Sequence, residues 1–176
     1  HELTKNRRFF MKWRSHFFTK GNIDEVAKPL FEKGMVIYMK PYIHKVQYYE
    51  TDKMGITHHS NYIRWMEEAR IDFMEQMGWG YDKMENRGII SPVMGIQCDY
   101  KKTTTFNDRI RVEIEVEGYN GIKLTLKYIM KDIYTENVVA IGESKHCFLS
   151  EDGSPVALRK QLPELDNVLK IGLKNE

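Results

Sequence analysis

A single long segment with helical periodicity, set between segments with strand periodicity, limits what this chain can fold into. Tyr62, Trp65/Met66, Ala69, Phe73 and Gln76/Met77 recur at the helical repeat and make an apolar stripe of about five turns. Gly78 and Gly80 stop that helix. Ahead of it, Tyr42–Tyr49 is β-prone, with His44, Val46 and Tyr48 on one face. Four strands follow it. The first covers Ser91–Lys101, after a short second helix at Tyr81–Asn86. In the second, Ile110, Val112, Ile114 and Val116 alternate with Arg111, Glu113, Glu115 and Glu117, the period-two pattern of a sheet with one wet face. Asn120–Gly121 predicts a hairpin into a third strand carrying Ile122, Leu124, Leu126, Tyr128 and Met130. Val138–Leu149 is apolar on both faces and reads as a central or interface strand. Arg159–Leu169 predicts a short terminal helix. One long helix followed by consecutive antiparallel strands is an α+β pattern, with the sheet wrapped around the helix.

The domain reads as residues 35–176, with residues 1–34 set apart by charge. Eight basic and four acidic residues give that segment +4, so the remainder carries −2 of the formal net +2. It is either an appended leader, with Met35 or Met39 the natural start, or an extension that docks on the domain or on acidic partners. A short helix is expected within it at Asp24–Phe31. A balance this near neutrality gives no global argument for nucleic acid. No apolar run approaches the roughly 20 residues of a membrane span. Cys98 and Cys147 lie inside apolar strand-like runs and read as buried free thiols, which suits a reducing cytoplasm.

The chemistry concentrates between Gln47 and Arg70, QYYETDKMGITHHSNYIRWMEEAR. Asp52 precedes a glycine turn at Gly55, and seven residues later a helix opens near Ser60–Asn61. A carboxylate beside a helix start faces free N–H groups and a dipole that favour developing negative charge. That arrangement suits attack on an activated carbonyl, although an Asp before a glycine turn can equally be a turn or capping residue. His58 and His59 are adjacent, so in an extended segment they point opposite ways. One would supply a backbone N–H at the helix start while an imidazole lines the cleft; a two-His metal site lacks helical i, i+4 spacing. Glu67 and Glu68 are rival acids, more simply read with Arg64 and Arg70 as a solvated, salt-bridged helix face. The chain has no nucleophile elbow, phosphate-cradling glycine loop, dinucleotide fingerprint or Cys-x-x-Cys pair.

Asp52, Gly55, Ile56, His59, Asn61 and Tyr62, continued by Arg64–Trp65 and Ala69–Arg70, resemble the motif of the hotdog-fold acyl-CoA thioesterases, in particular the 4-hydroxybenzoyl-CoA thioesterase-like branch. The resemblance runs from about Pro41 to Leu149. It implies a five-stranded antiparallel sheet around one central helix. It also implies hydrolysis of an acyl-CoA or acyl-carrier-protein thioester, with no metal and no redox cofactor. In that family the residue matching Asp52 is the catalytic carboxylate, acting as nucleophile or general base. The residue matching His59 supplies the polarising N–H, and Gly55, His58 and Asn61 fall among the substrate-binding positions. A homodimer that assembles into a homotetramer is implied as well. Two departures stand out: histidine at 58, where relatives often have an aromatic residue, and Thr103-Thr104-Thr105 where they tend to carry Pro-Ala. A hotdog dehydratase would need a His-Phe-Pro-Gly-like entry that is missing. A non-catalytic acyl-CoA sensor, the rival from another class, would have lost the acid that Asp52 retains.

Overall fold

The computed structural model describes residues 28–32 and 35–173. Its centre is a five-stranded antiparallel sheet folded against one long helix, α1, Ser60–Gln76. Two short strands precede the sheet. β1 (Lys28–Glu32) pairs antiparallel with β2 (Met35–Met39), so strand pairing crosses the anticipated boundary between residues 34 and 35. The helix expected at Asp24–Phe31 is not formed over its described part. Lys28–Phe31 is strand; Pro29 lacks the amide a helix would use, and the β-rich Met35–Met39 segment offers a partner. Residues 24–27 lie outside the described residues.

The main sheet runs in the order β3 (Tyr42–Lys45), β6 (Arg109–Tyr119), β7 (Lys123–Asp132), β8 (Val138–Cys147), β5 (Val93–Tyr100). This is the α+β hotdog arrangement expected from the sequence. A minor pair, β4 (Ile89–Ile90) with β9 (Leu149–Ser150), closes one end. Between α1 and β4 lies the short helix α2, Tyr81–Glu85.

Alternation decides which residues meet α1. Ile110, Val112 and Val116 of β6, and Leu124, Leu126, Tyr128 and Met130 of β7, are buried. They face Tyr62, Trp65, Met66, Ala69 and Phe73 from the helix in one continuous core. At Gly142 the helix comes so close that a Cβ would lie 2.6 Å from the Met66 sulfur.

Several local expectations need correction. The first strand stops at Lys45, and Tyr48–Glu50 is a 3₁₀ turn. His44 and Val46 are buried as anticipated, but Tyr48 is 77% exposed, because the turn swings it out against Phe106. Of the two readings of Val138–Leu149, the central one holds, since β8 lies between β7 and β5. The edges are β3 and β5, and β5 is the longer of them, with Val93, Met94, Ile96 and Tyr100 exposed. The terminal helix is two pieces, α3 (Leu158–Gln161) and α4 (Pro163–Gly172). They break at Leu162, where Pro163 pushes its predecessor out of the helical region. Arg70 is buried rather than part of a solvated face, whereas Glu67 and Glu68 are exposed.

Candidate active site

The segment between the 3₁₀ turn and α1 folds back on itself as a miniature hairpin. Thr51 and Thr57 bridge antiparallel, the Asp52 N–H donates to the Ile56 carbonyl at 2.8 Å, and the His58 N–H donates to the Glu50 carbonyl at 2.8 Å. Gly55 closes the tip. Its N–H donates to the Asp52 carbonyl, and its φ of 76° lies in the left-handed region that other residues enter at a cost. Its position is therefore a backbone requirement; nothing would crowd a Cβ there.

Asp52 is half-buried at this tip. Its Oδ1 accepts the Met54 N–H at 2.8 Å, an Asx turn. Its Oδ2 engages no partner among the described residues. The hairpin's other arm runs directly into α1. His59 is the N-cap in helical conformation, with no side-chain cap bond. The Ser60 N–H reaches the His58 ring at 3.4 Å and the Asn61 N–H donates to the His58 carbonyl at 3.0 Å. Among the described residues the His59 N–H has no hydrogen-bond acceptor.

Aromatic rings surround the helix tip. The His58 and His59 rings lie 4.2 Å apart and are exposed. Tyr100, on the sheet edge, stands edge-on to both His59 and Tyr62, and its hydroxyl donates to the His59 carbonyl at 3.0 Å. Below them runs a buried hydroxyl chain: Tyr62 pairs with Thr104 at 2.9 Å, and Thr104 donates to Thr57 at 2.7 Å. The departure at Thr103–Thr105 thus has a physical use, since Thr104 ties the hairpin to the loop before β6. Asn61 is buried, and its Nδ2 donates to the Glu50 carbonyl.

Two groups near the tip were not anticipated. Glu50 is a buried carboxylate with a full set of donors around it, and Tyr100 caps the His59 carbonyl. The one signal for Glu50 was an acid in an otherwise apolar, aromatic run two residues before Asp52. Burial pushes the nearby Cys98 thiol up, so it stays protonated and is a poor nucleophile. Among the described residues no cluster of three or more His, Cys, Asp or Glu could hold a metal ion. No helix among them is long and apolar enough to cross a membrane.

A profile of the thioesterase-like superfamily matches residues 46–171. The chain belongs to that superfamily. Its relatives include the Bacillus subtilis (strain 168) protein YneP, whose name gives acyl-CoA thioesterase as a provisional activity. It is 35% identical over 120 residues, covering 68% of this chain and 87% of that one. A crystal structure of a hypothetical protein from Aquifex aeolicus superposes with a TM-score of 0.67 at 36% identity, covering 73% of this chain and 98% of that one. The DHNA-CoA thioesterase of Staphylococcus aureus superposes with a TM-score of 0.70 at 30% identity, covering 74% of this chain and 87% of that one. The expectation of a hotdog thioesterase is met, and the matched span contains the whole hairpin–helix site.

Proposed function

We propose that this thioesterase hydrolyses acyl-CoA thioesters, or the equivalent acyl-carrier-protein thioesters, to a carboxylic acid and the free thiol. Asp52 attacks the thioester carbon as nucleophile or deprotonates the water that does. The carbonyl oxygen takes up negative charge against the start of α1, where the His59 N–H and the helix dipole stabilise it. The tetrahedral intermediate then collapses, the C–S bond breaks, and the departing thiolate takes a proton. That proton comes from Asp52 where Asp52 acted as base, and from water where it acted as nucleophile. In that second case water then cleaves the mixed anhydride on Asp52, releasing the acid and restoring the carboxylate. Gly55 shapes the turn, and His58 and Asn61 border the substrate. No metal or redox cofactor takes part.

One observation carries this reading. A half-buried carboxylate with a free oxygen sits on the same small hairpin that delivers an uncommitted N–H at the helix tip. The chemistry needs one donor and one acid, and a donor of this kind contributes about 3–4 kcal/mol to the transition state. Asp52→Asn should lower kcat for thiol release from acyl-CoA by several orders of magnitude, with the fold retained by circular dichroism. Turnover near that of the unaltered protein would remove Asp52 from the mechanism.

The Asx turn at Asp52 favours a second reading, in which the domain binds acyl-CoA without turning it over and the carboxylate serves only the turn. Stoichiometric binding by calorimetry with no thiol release would select it.

The subunits pair through the open β5 edge, whose exposed Val93, Met94, Ile96 and Tyr100 make it an unprotected strand. Two such edges continue one sheet across a two-fold axis, and the dimer pairs again into a tetramer. A monomer in sedimentation at working concentration would contradict this. The protein acts in the cytoplasm, where its two free cysteines stay reduced.

A further inference from the structure

Glu50 is the centre of a dense set of hydrogen bonds beside the site, yet its carboxylate touches neither Asp52 nor the His59 N–H. It is 5% exposed. Its Oε2 accepts from His44 Nε2 at 2.8 Å and from the Gln47 N–H at 2.7 Å, and its Oε1 accepts from Trp65 Nε1 at 2.8 Å. Its own carbonyl takes the His58 N–H and the Asn61 side-chain amide, each at 2.8 Å. Burial raises the carboxyl pKa, but the Gln47, His44 and Trp65 donors outweigh it and hold the group below its ordinary range. An ionised carboxylate only accepts, so all three donors are satisfied together.

These bonds reach three elements. His44 is on β3, Gln47 opens the 3₁₀ turn, and Trp65 and Asn61 are on α1. The carbonyl bond to His58 ends one residue before His59, and Asp52 is two residues further along the opposite arm. The geometry points to Glu50 as a positioning residue that fixes the Asp52 carboxylate and the His59 N–H relative to each other. The inference rests on the hydrolase reading above, because it needs those two groups to act together. A short irregular loop has little packing of its own, and a misplacement of about 1 Å at a reacting pair can cost on the order of 100-fold in rate.

Glu50→Gln preserves shape but not the pattern of acceptors. The new NH₂ must face either the Trp65 indole N–H or the Gln47 backbone N–H, neither of which can accept. His44 can exchange tautomers; those two cannot. Thiol release should be measured for Asp52→Asn, Glu50→Gln and, as a stability control, Leu165→Ala in α4, which truncates a fully buried side chain. With Asp52→Asn inactive, Glu50→Gln should lose about 10-fold to 100-fold in kcat. Its KM should stay within about twofold, while Leu165→Ala keeps its kcat despite a lower Tm. A kcat loss below about threefold in Glu50→Gln, or an equal loss in Leu165→Ala, overturns the positioning role and leaves the hydrolase reading standing. Full activity in Asp52→Asn instead overturns the reading beneath it, and the positioning role with it. Should Glu50→Gln not fold, Trp65→Phe decides. It removes one donor and keeps the ring packing; a kcat fall of threefold or more sustains the role, and an unchanged kcat ends it.

Discussion

The long helix is gripped by buried polar groups at two places, and the two grips differ in sign and in what they hold. Near its start the centre is an anion, Glu50, sitting on a loop and surrounded by donors. Two turns further along the centre is a cation, Arg70, sitting on the helix itself. Its guanidinium reaches His146 Nδ1 at 2.7 Å and lies 5.2 Å over the Tyr81 ring. The chain continues from His146 Nε2 to Ser144 at 2.6 Å and from Ser144 to Tyr128 at 2.8 Å, all of it buried. Glu50 orders a segment that has little regular structure, by satisfying backbone and side-chain groups that would otherwise be stranded. The Arg70 chain joins α1 to β7 and β8, elements the apolar core already holds together. On the proposed mechanism the first grip sets the geometry of Asp52 and the His59 N–H, whereas the second joins elements away from them.

Acid should separate them most strongly. Burial, followed by the Arg70 charge, lowers the His146 pKa from 6.5 to about 4. The folded protein therefore binds this proton more weakly than the unfolded chain. Its contribution to stability is complete above pH 6.5 and drains away as the pH falls toward 4. At about 1.4 kcal/mol per unit this amounts to at most about 3 kcal/mol. Glu50, with its pKa lowered from 4.5, loses its contribution only as the pH drops below 4.5. Urea unfolding across pH 7 to 4 should show the loss, and His146→Gln should flatten it. An unchanged slope in that variant would mean that His146 is not the sensor.

Between the grips, Gly142→Ala would press a methyl against Met66, since the ideal Cβ lies 2.6 Å from its sulfur and 2.7 Å from its Cε. Forced repacking there should cost roughly 1–3 kcal/mol. If the helix tip is held independently by Glu50, kcat stays within twofold while the urea midpoint drops. A kcat that falls in step with stability would show that the two regions move together.

The smallest effect should come from Tyr128→Phe. Ser144 keeps its His146 partner, so one hydrogen bond is lost, worth about 1 kcal/mol. The expected result is a modest shift in unfolding midpoint with no change in kcat. A shift several times larger would show that the Arg70 chain acts as one cooperative unit.

The parts of this molecule that were legible in the sequence are those where one periodicity dominates a long segment. Tyr62, Trp65, Met66, Ala69 and Phe73 announce the helix because each turn repeats the same demand for burial. Ile110–Val116 and Leu124–Met130 announce their strands in the same way. The Asn120–Gly121 turn was readable from its residue types, and Gly121 does adopt a φ of 92°. Asp52, Gly55 and His59 could be placed at one helix entrance because only six residues separate the acid from the histidine. Arg70, Glu50 and Tyr48 were not legible. A charged residue next to other charges on a helix reads as solvated, and nothing local reveals that Arg70 meets His146, 76 residues away. Tyr48 continued the alternation of its strand, but the strand had already ended.

By itself the sequence determined the order and kind of the long elements, since hydrophobic period and turn chemistry act over a few neighbouring residues. The tertiary structure alone decided that β5 is an apolar, exposed edge, that Arg70 is buried against His146, and that a buried carboxylate braces the hairpin carrying Asp52. Those outcomes depend on contacts between residues far apart in the chain, where burial turns an ordinary acid or base into a group that must be matched donor for donor.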